Sequence, residues 1–231
     1  PGIMLAGSVR TYLKHYGVTP GRNVLCLGQD DSIYETAFML KRYGIEVRVA
    51  DMRKDIPEAL EKTCLDKGIE LFTGVQPIEA YGRLRVNSIL LSNGAGKNFA
   101  LTCDTIAMSG GWTPSVHLAS QAGSKPVFEP TIQAFVPGSP REDWVACGAV
   151  TGKFETKNCF IDGLNTVRAA LDDLGIGQDG RTALPTVELA LPMKGQRDAE
   201  PLLNIQVNKP SKAFVDFQHD VTVKDVALAH Q

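Results

Sequence analysis

Apolar and polar positions along the first third of the chain alternate between a helical rhythm and a strand rhythm. From Gly7 to Tyr16 the apolar positions Val9, Leu13 and Tyr16 recur at helical spacing and Gly17 follows as a stop, which predicts an entry helix. Gly21 to Gly28 reads as a short apolar strand ending in glycine. Ser32 to Tyr43, with Ile33, Ala37, Phe38, Met39 and Leu40, reads as a helix packed on a sheet. Glu46 to Ala50 is a second strand, and it ends at Asp51. Strand, helix and strand, with an acid about 20 residues beyond the first turn, is the order of a nucleotide-type α/β unit. Glu58 to Lys67 predicts a further helix, and Ile69 to Phe72 a third strand of the same parallel sheet.

The rhythm then changes. Gly82 to Asn87, Ser88 to Ser92 and Phe99 to Thr102 alternate apolar with polar residues around an Asn93-Gly94 turn, which predicts antiparallel hairpins. Cys103 to Met108 is an apolar strand that runs into Ser109-Gly110-Gly111-Trp112-Thr113-Pro114. Asp143 to Ala149 reads as one more short strand, ending in Gly148-Ala149. Thr156 or Asn158 caps a long helix reaching about Leu174, with Ile161, Leu164, Val167, Ala170 and Leu171 on one face. Beyond Gly175 the composition turns toward Pro and Gly, so residues up to about Lys209 predict a linker with two short extended pieces. No internal repeat is visible.

This succession predicts an α/β fold with a meander inserted into paired nucleotide-binding domains, one complete and one partial. Residues 20–114 form the complete unit. Residues 1–19 and 115–178 are expected to be the returning part of the other, and 179–231 the linker. The chain starts at Pro1, and Asp225 to Gln231 reads as the start of a helix with no stop signal, so it is expected to be an interior piece of a larger protein.

Composition narrows the choice of partner. Lys plus Arg total 24 against 26 Asp plus Glu, with no run of like charge, which argues against nucleic acid and membrane surfaces and for a small molecule or another protein. No stretch approaches the roughly 20 apolar residues of a membrane span, and no basic-then-apolar signal segment opens the chain, so a cytoplasmic protein is expected. The five cysteines Cys26, Cys64, Cys103, Cys147 and Cys159 are odd in number and scattered without C-x-x-C. They predict buried reduced thiols rather than a disulfide framework or a zinc site.

Two turns are candidates for dinucleotide chemistry, which needs backbone N–H groups at a helix start close to the pyrophosphate. The first, Gly28-Gln29-Asp30-Asp31-Ser32-Ile33, keeps only the first glycine of G-x-G-x-x-G and sets two carboxylates where phosphate charge would lie. Like charges within ~4 Å in a partly buried site repel by kilocalories, so this turn is a poor dinucleotide site. The alternative is a scaffold in which Asp30 or Ser32 caps the helix, and Asp51 shares that fate. The second turn lies in Ala146 to Thr156, where Gly148-Ala149 and Gly152 precede a helix start and allow backbone to lie against a ribose or pyrophosphate. An ordinary strand-to-helix connection explains the same spacing. His117 is a candidate base without a visible Ser or Cys partner, and His15, His219 and His230 have no stronger claim. Trp112 and Trp144 read as packing residues.

Three blocks resemble a known family. Pro1-Gly2-Ile3-Met4-Leu5-Ala6-Gly7-Ser8-Val9-Arg10-Thr11-Tyr12-Leu13, Ser109-Gly110-Gly111-Trp112-Thr113-Pro114-Ser115-Val116-His117-Leu118 and Lys212-Ala213-Phe214-Val215-Asp216-Phe217-Gln218-His219-Asp220-Val221-Thr222 together look like the alpha subunit of heterotetrameric sarcosine oxidase. The resemblance implies paired FAD/NAD(P)-binding domains of the Rossmann-like, pyridine nucleotide-disulfide oxidoreductase type. It also implies a G-x-G-x-x-G unit upstream and a folate-binding, aminomethyltransferase-like region downstream. The reaction implied is oxidative demethylation of sarcosine with oxygen, the one-carbon unit passing to tetrahydrofolate. FAD is implied in the beta subunit, FMN between alpha and beta, and NAD on alpha, with gamma and delta subunits completing the complex. Paired-domain flavoproteins normally carry Gly-Asp at the second turn, and Gly148-Ala149 stands there instead. By resemblance the NAD contacts fall to Ala149, Phe154 and Thr156, with Gly148 permitting close approach. Two rival readings remain: an NAD(P)H-using reductase that binds nucleotide near Asp51, and a non-catalytic assembly module.

Overall fold

A computed structural model describes residues 1–94, 96–176, 214–216 and 219–230. Its centre is a parallel sheet built from β1 (Ile3–Leu5), β2 (Asn23–Gly28), β3 (Glu46–Asp51), β4 (Glu70–Thr73) and a strand from much later in the chain, β8 (Thr105–Ser109). Between β4 and β8 the chain makes an antiparallel meander of β5 (Val75–Gly82), β6 (Val86–Asn93) and β7 (Asn98–Thr102). The sheet order is β1-β8-β2-β3-β4 and every neighbouring pair is parallel.

A parallel sheet must be covered on both faces, and the strand sequences show how this one is. Successive side chains of a strand point to opposite faces. Val24 and Cys26 of β2, Val47 and Val49 of β3 and Ala107 of β8 therefore join one core, with Val9, Leu13, Ile33, Tyr34, Ala37, Leu40, Leu60 and Cys64 from the helices. Those helices are α1 (Ala6–Tyr16), α2 (Ser32–Arg42) and α3 (Glu58–Asp66). The intervening residues Leu25, Leu27, Ala50 and Ile106 face the other way and meet Val75, Val86, Ile89 and Leu91 of the meander in a second core. The result is helices, sheet and meander in three layers. Gly17 ends α1 in a left-handed conformation (φ 63°), as expected of a glycine stop.

Three sequence expectations need correction here. The first hairpin strand is Val75–Gly82, not Gly82 to Asn87, and Val86–Asn93 is one continuous strand. Pro77 masked β5: the pairing of β5 with β6 shifts register between Pro77 and Glu79, and proline is tolerated in a sheet at such an irregularity. Second, Asp143 to Ala149 is no strand. Residues 143–147 are irregular and Gly148–Thr151 is a single 3-10 turn. A lone strand leaves its own backbone groups unpaired, and no described strand lies beside this segment. Third, β1 and α1, grouped by sequence with residues 115–178, sit in the 20–114 sheet: β1 pairs with β8, and the Ile106 N–H donates to the Gly2 carbonyl at 2.7 Å.

Residues 115–176 carry α4 (His117–Gln121), a hairpin of β9 (Val127–Glu129) and β10 (Ala134–Val136), the 3-10 turn and α5 (Thr156–Asp173). α5 matches the predicted helix, but Glu155 is its N-cap residue and none of its side chains is buried. Most of the expected linker lies outside the described residues. Past it, β11 (Phe214–Asp216) pairs with β12 (Val221–Thr222), and α6 (Val223–Ala229) starts with a capping box between Thr222 and Asp225, where a helix start was expected. Cys26, Cys64 and Cys103 are buried, whereas Cys147 is exposed and Cys159 half-buried, and all five are free thiols.

Candidate functional site

In an open α/β sheet the crevice forms at the carboxyl ends of the strands where the order reverses. Here the chain leaves β2 toward β3 and β4 and returns on its other side as β8, so the reversal lies between β2 and β8, whose ends place Gly28 beside Ser109. Gly28 serves packing: a Cβ there would meet Ile33 Cγ2 at 2.5 Å and the Ser109 carbonyl oxygen at 2.6 Å.

The turn after Gly28 is filled by its own side chains. Asp30 Oδ1 accepts the Ser32 amide at 2.8 Å and Asp30 Oδ2 accepts the Ser109 hydroxyl at 2.7 Å. Asp30 thus supplies the capping contact expected of it, although Asp31 occupies the N-cap position and makes no cap bond. Asp51 is fully buried, and both of its oxygens are engaged. Oδ1 accepts the Arg53 amide at 2.9 Å, while Oδ2 accepts Arg53 Nη2 at 2.8 Å and the Tyr34 hydroxyl at 2.8 Å. Arg53 Nη2 also lies 3.0 Å from Asp31 Oδ1. Burial, together with the Asp51 carboxylate, pushes the Tyr34 hydroxyl far above the ordinary phenol range. In a nucleotide-binding unit the acid at this strand end holds a ribose; here an internal guanidinium and a phenol have taken its oxygens. Tyr34, Arg53 and Ser109 went unnoticed as site residues in the sequence. The one local signal was the Asp-x-Arg spacing of Asp51 and Arg53.

Beside this turn a groove of about 1100 Å³ runs along α1 and the end of β8. Arg10, Lys14, Ser32, Ser109, Gly110 and Trp112 are among the residues lining it.

The second candidate turn is held differently. Gly148 is buried in a left-handed conformation (φ 71°), and its amide donates to Asp162 Oδ2 of α5 at 2.7 Å. Asp162 also accepts from the Thr151 hydroxyl at 3.3 Å and pairs with Lys153. The contact with Lys153, followed by that from the Gly148 amide, holds the Asp162 carboxyl below its usual range. Gly152 is a second left-handed glycine (φ 84°). Ala149 and Thr156 are exposed and Phe154 is half-buried. The Phe154 ring lies 6.4 Å from that of Trp112, so the Gly110-Gly111-Trp112 turn meets this segment. Ala149, Phe154 and Thr156 thus belong to one partly exposed stretch leading into α5.

The remaining nominees do not gather. His15, His117, His219 and His230 are all exposed and stand on or beside different elements. No group of three or more His, Cys, Asp or Glu suited to a metal ion occurs among the described residues, and no described helix is long and apolar enough to cross a membrane.

No protein-family model matches the chain. Sarcosine oxidase subunit alpha of Corynebacterium sp. (strain P-1) is 32% identical over 241 residues, and that of Rhizobium meliloti (strain 1021) is 34% identical over 233 residues, each match covering 99% of this chain. The chain is homologous to the sarcosine oxidase alpha subunit. It spans about a quarter of these relatives' length, 24% and 22% respectively. Among solved structures, T. acidophilum thioredoxin reductase is similar with a TM-score of 0.55 at 19% identity, over 66% of this chain and 52% of that one. Lactococcus lactis thioredoxin reductase gives 0.52 at 18% identity over 74% and 57%, and P. horikoshii L-proline dehydrogenase 0.50 at 15% identity over 77% and 31%. At such identities the likeness is one of fold. That fold is the paired FAD/NAD(P)-binding, Rossmann-like architecture expected for a sarcosine oxidase alpha subunit.

Proposed function

We propose that this chain works as part of an alpha-type subunit of a heterotetrameric sarcosine oxidase, an oxidoreductase acting on a CH–NH bond with oxygen, and that its own share is holding NAD and scaffolding the complex. The NAD contacts fall to Ala149, Phe154 and Thr156, with Gly148 beside them. One observation carries this choice of turn: the Asp51 carboxylate, the acid at the strand end of the rival unit, is buried and engaged by Arg53 and Tyr34. The second turn fits a nucleotide better. Ala149 is exposed and brings no carboxylate of its own, Gly148 and Gly152 lack the Cβ atoms that would meet Cys159 and Ile132, and the nearby Asp162 carboxylate is engaged by the Gly148 amide and Lys153.

NAD supplies a hydride-accepting ring and a pyrophosphate to be gripped, and this stretch contributes to the grip. FAD, FMN and tetrahydrofolate belong to other parts of the complex in this reading, as do the beta, gamma and delta subunits and the amine substrate. The setting is the cytoplasm.

The test compares NAD affinity for Asp51→Ala and Ala149→Trp in the intact alpha-type subunit by calorimetry. Ala149→Trp should weaken NAD at least tenfold and Asp51→Ala should leave it within twofold in the folded fraction. The reverse pattern would establish the NAD(P)H-reductase reading. An assembly role has one observation in its favour: α5 exposes Phe160, Ile161 and Val167. Purification of the intact subunit with no nucleotide attached would favour it.

A further inference from the structure

Of the five cysteines, Cys26, Cys64 and Cys103 are buried in the two cores, whereas Cys147 is exposed and Cys159 half-buried. The two accessible thiols flank one turn. Cys147 is the N-cap residue of the 3-10 turn Gly148–Thr151, and Cys159 stands in the opening turns of α5.

The Gly148 amide, whose nitrogen is bonded to the Cys147 carbonyl carbon, donates to Asp162 Oδ2 at 2.7 Å. Asp162 follows Cys159 by three residues in α5 and so shares its face of the helix. The Cys147 peptide is therefore pinned to the helix face that carries Cys159. A Cβ on Gly148 would lie 3.5 Å from Cys159 Cβ and 3.7 Å from its Sγ, so the Cys159 thiol sits against the turn. That thiol donates to the Lys153 carbonyl at 2.7 Å, which aims it back at the 148–153 stretch and not into a core. Cys147 is one Cα step of about 3.8 Å from Gly148. A disulfide needs Cα atoms roughly 4.4–6.8 Å apart. The left-handed Gly148 (φ 71°) is the joint about which Cys147 turns toward Cys159.

We propose that Cys147 and Cys159 form a peroxide-sensitive thiol pair that oxidises to a disulfide, stapling the 3-10 turn to α5. Hydrogen peroxide forms when oxygen accepts two electrons, so an oxidase of the kind proposed above generates the oxidant. The source of peroxide rests on that reading; the thiol chemistry does not. The exposed Cys147 thiolate attacks one peroxide oxygen, the O–O bond breaks and hydroxide leaves, giving a sulfenic acid. The Cys159 thiolate then attacks the sulfenic sulfur: the S–S bond forms, the S–O bond breaks and a second hydroxide departs. The two thiol protons convert both hydroxides to water, so two thiols and one peroxide become one disulfide and two waters. The disulfide closes a loop that contains Ala149, Phe154 and Thr156.

The experiment treats the reduced, intact alpha-type subunit with hydrogen peroxide, blocks remaining thiols with N-ethylmaleimide and maps the unreduced digest by mass spectrometry. A crosslinked peptide pair joining Cys147 to Cys159 should appear, and dithiothreitol should release it. Iodoacetamide labelling of both residues should fall roughly fivefold after peroxide and return on reduction. Cys159→Ser should halt the reaction at the sulfenic acid, trapped by dimedone at Cys147, whereas the unmutated subunit should give little of that adduct. Absence of the Cys147–Cys159 crosslink in the peroxide-treated unmutated subunit, crosslinking of either residue mainly to a different cysteine, or equal dimedone trapping with and without Cys159 would each overturn the proposal. The first two readouts require no variant to fold.

Discussion

The Tyr34 hydroxyl donates to Asp51 Oδ2 at 2.8 Å across the carboxyl end of the sheet, joining α2 to β3 inside the protein. Neither group reaches solvent, so each satisfies the other where water cannot. Tyr34→Phe removes the donor and keeps the ring, leaving a buried carboxylate one bond short. The expected cost is about 1–3 kcal/mol, measured by urea denaturation at neutral pH. An unchanged midpoint would mean that Arg53 alone satisfies Asp51.

Among the described residues Arg53 is the cation paired with both Asp51 and Asp31. Arg53→Met should destabilise by roughly 3–5 kcal/mol, because it strands two buried carboxylates rather than removing an isolated pair. Arg53→Lys should recover only part of the loss, since a single ammonium cannot reproduce the forked contact of Nε and Nη2 with one carboxylate. The same denaturation measurement ranks the three proteins.

The buried thiols and Tyr34 set the alkaline limit. Burial pushes Cys26 up to about 12 and Cys64 up to about 11, and Tyr34 rises beyond both. A raised folded value favours the protonated form, so the contribution of each group is complete below its unfolded value and is lost as pH rises through the folded one. Stability should therefore decline from about pH 9 upward, starting with the thiols. Under native conditions at pH 8, iodoacetamide should label Cys147 and Cys159 and spare Cys26, Cys64 and Cys103. Mass spectrometry of the labelled peptides checks this, and rapid native labelling of Cys26 would contradict the packing of the helix-side core.

Asp162 works at the other end of the scale. Its carboxyl is held low, chiefly by Lys153 and then by the Gly148 amide. A depressed folded value makes the contribution present above the ordinary 3.8 and lost as pH falls through the lower folded one. The Gly148 amide resonance should therefore shift at a pH below 3.8, and Asp162→Asn should flatten that titration. An inflection at or above the ordinary carboxylate value would show that the clamp on the 3-10 turn does not persist in solution.

Legibility varied by element for physical reasons. α2 and β3 could be read almost to the residue because their signals lie within the segments: helical spacing in one, and in the other an apolar run ending at an acid. β5 was hidden by Pro77 and Glu79, since its place depends on pairing with β6 and not on its own composition. The 143–149 segment has strand composition, but a strand is a relation between neighbours, and no described neighbour pairs with it. The doubt about the first turn was legible in Asp30 and Asp31. Its cause was only half visible, because Arg53 reaches the turn from the loop after β3 and Ser109 from the end of β8.

By itself, the sequence determined the parallel unit, its helices, the inserted meander and the resemblance to sarcosine oxidase alpha subunits, because periodicity, turn residues and motif blocks are local and survive without coordinates. The tertiary structure alone decided that β1 closes the sheet beside β8, that Asp51 is spent on Arg53 and Tyr34, and that Gly148 is clamped by Asp162. Each of these depends on which distant groups meet when the chain buries its apolar faces, and burial is what makes a carboxylate take an internal partner instead of water.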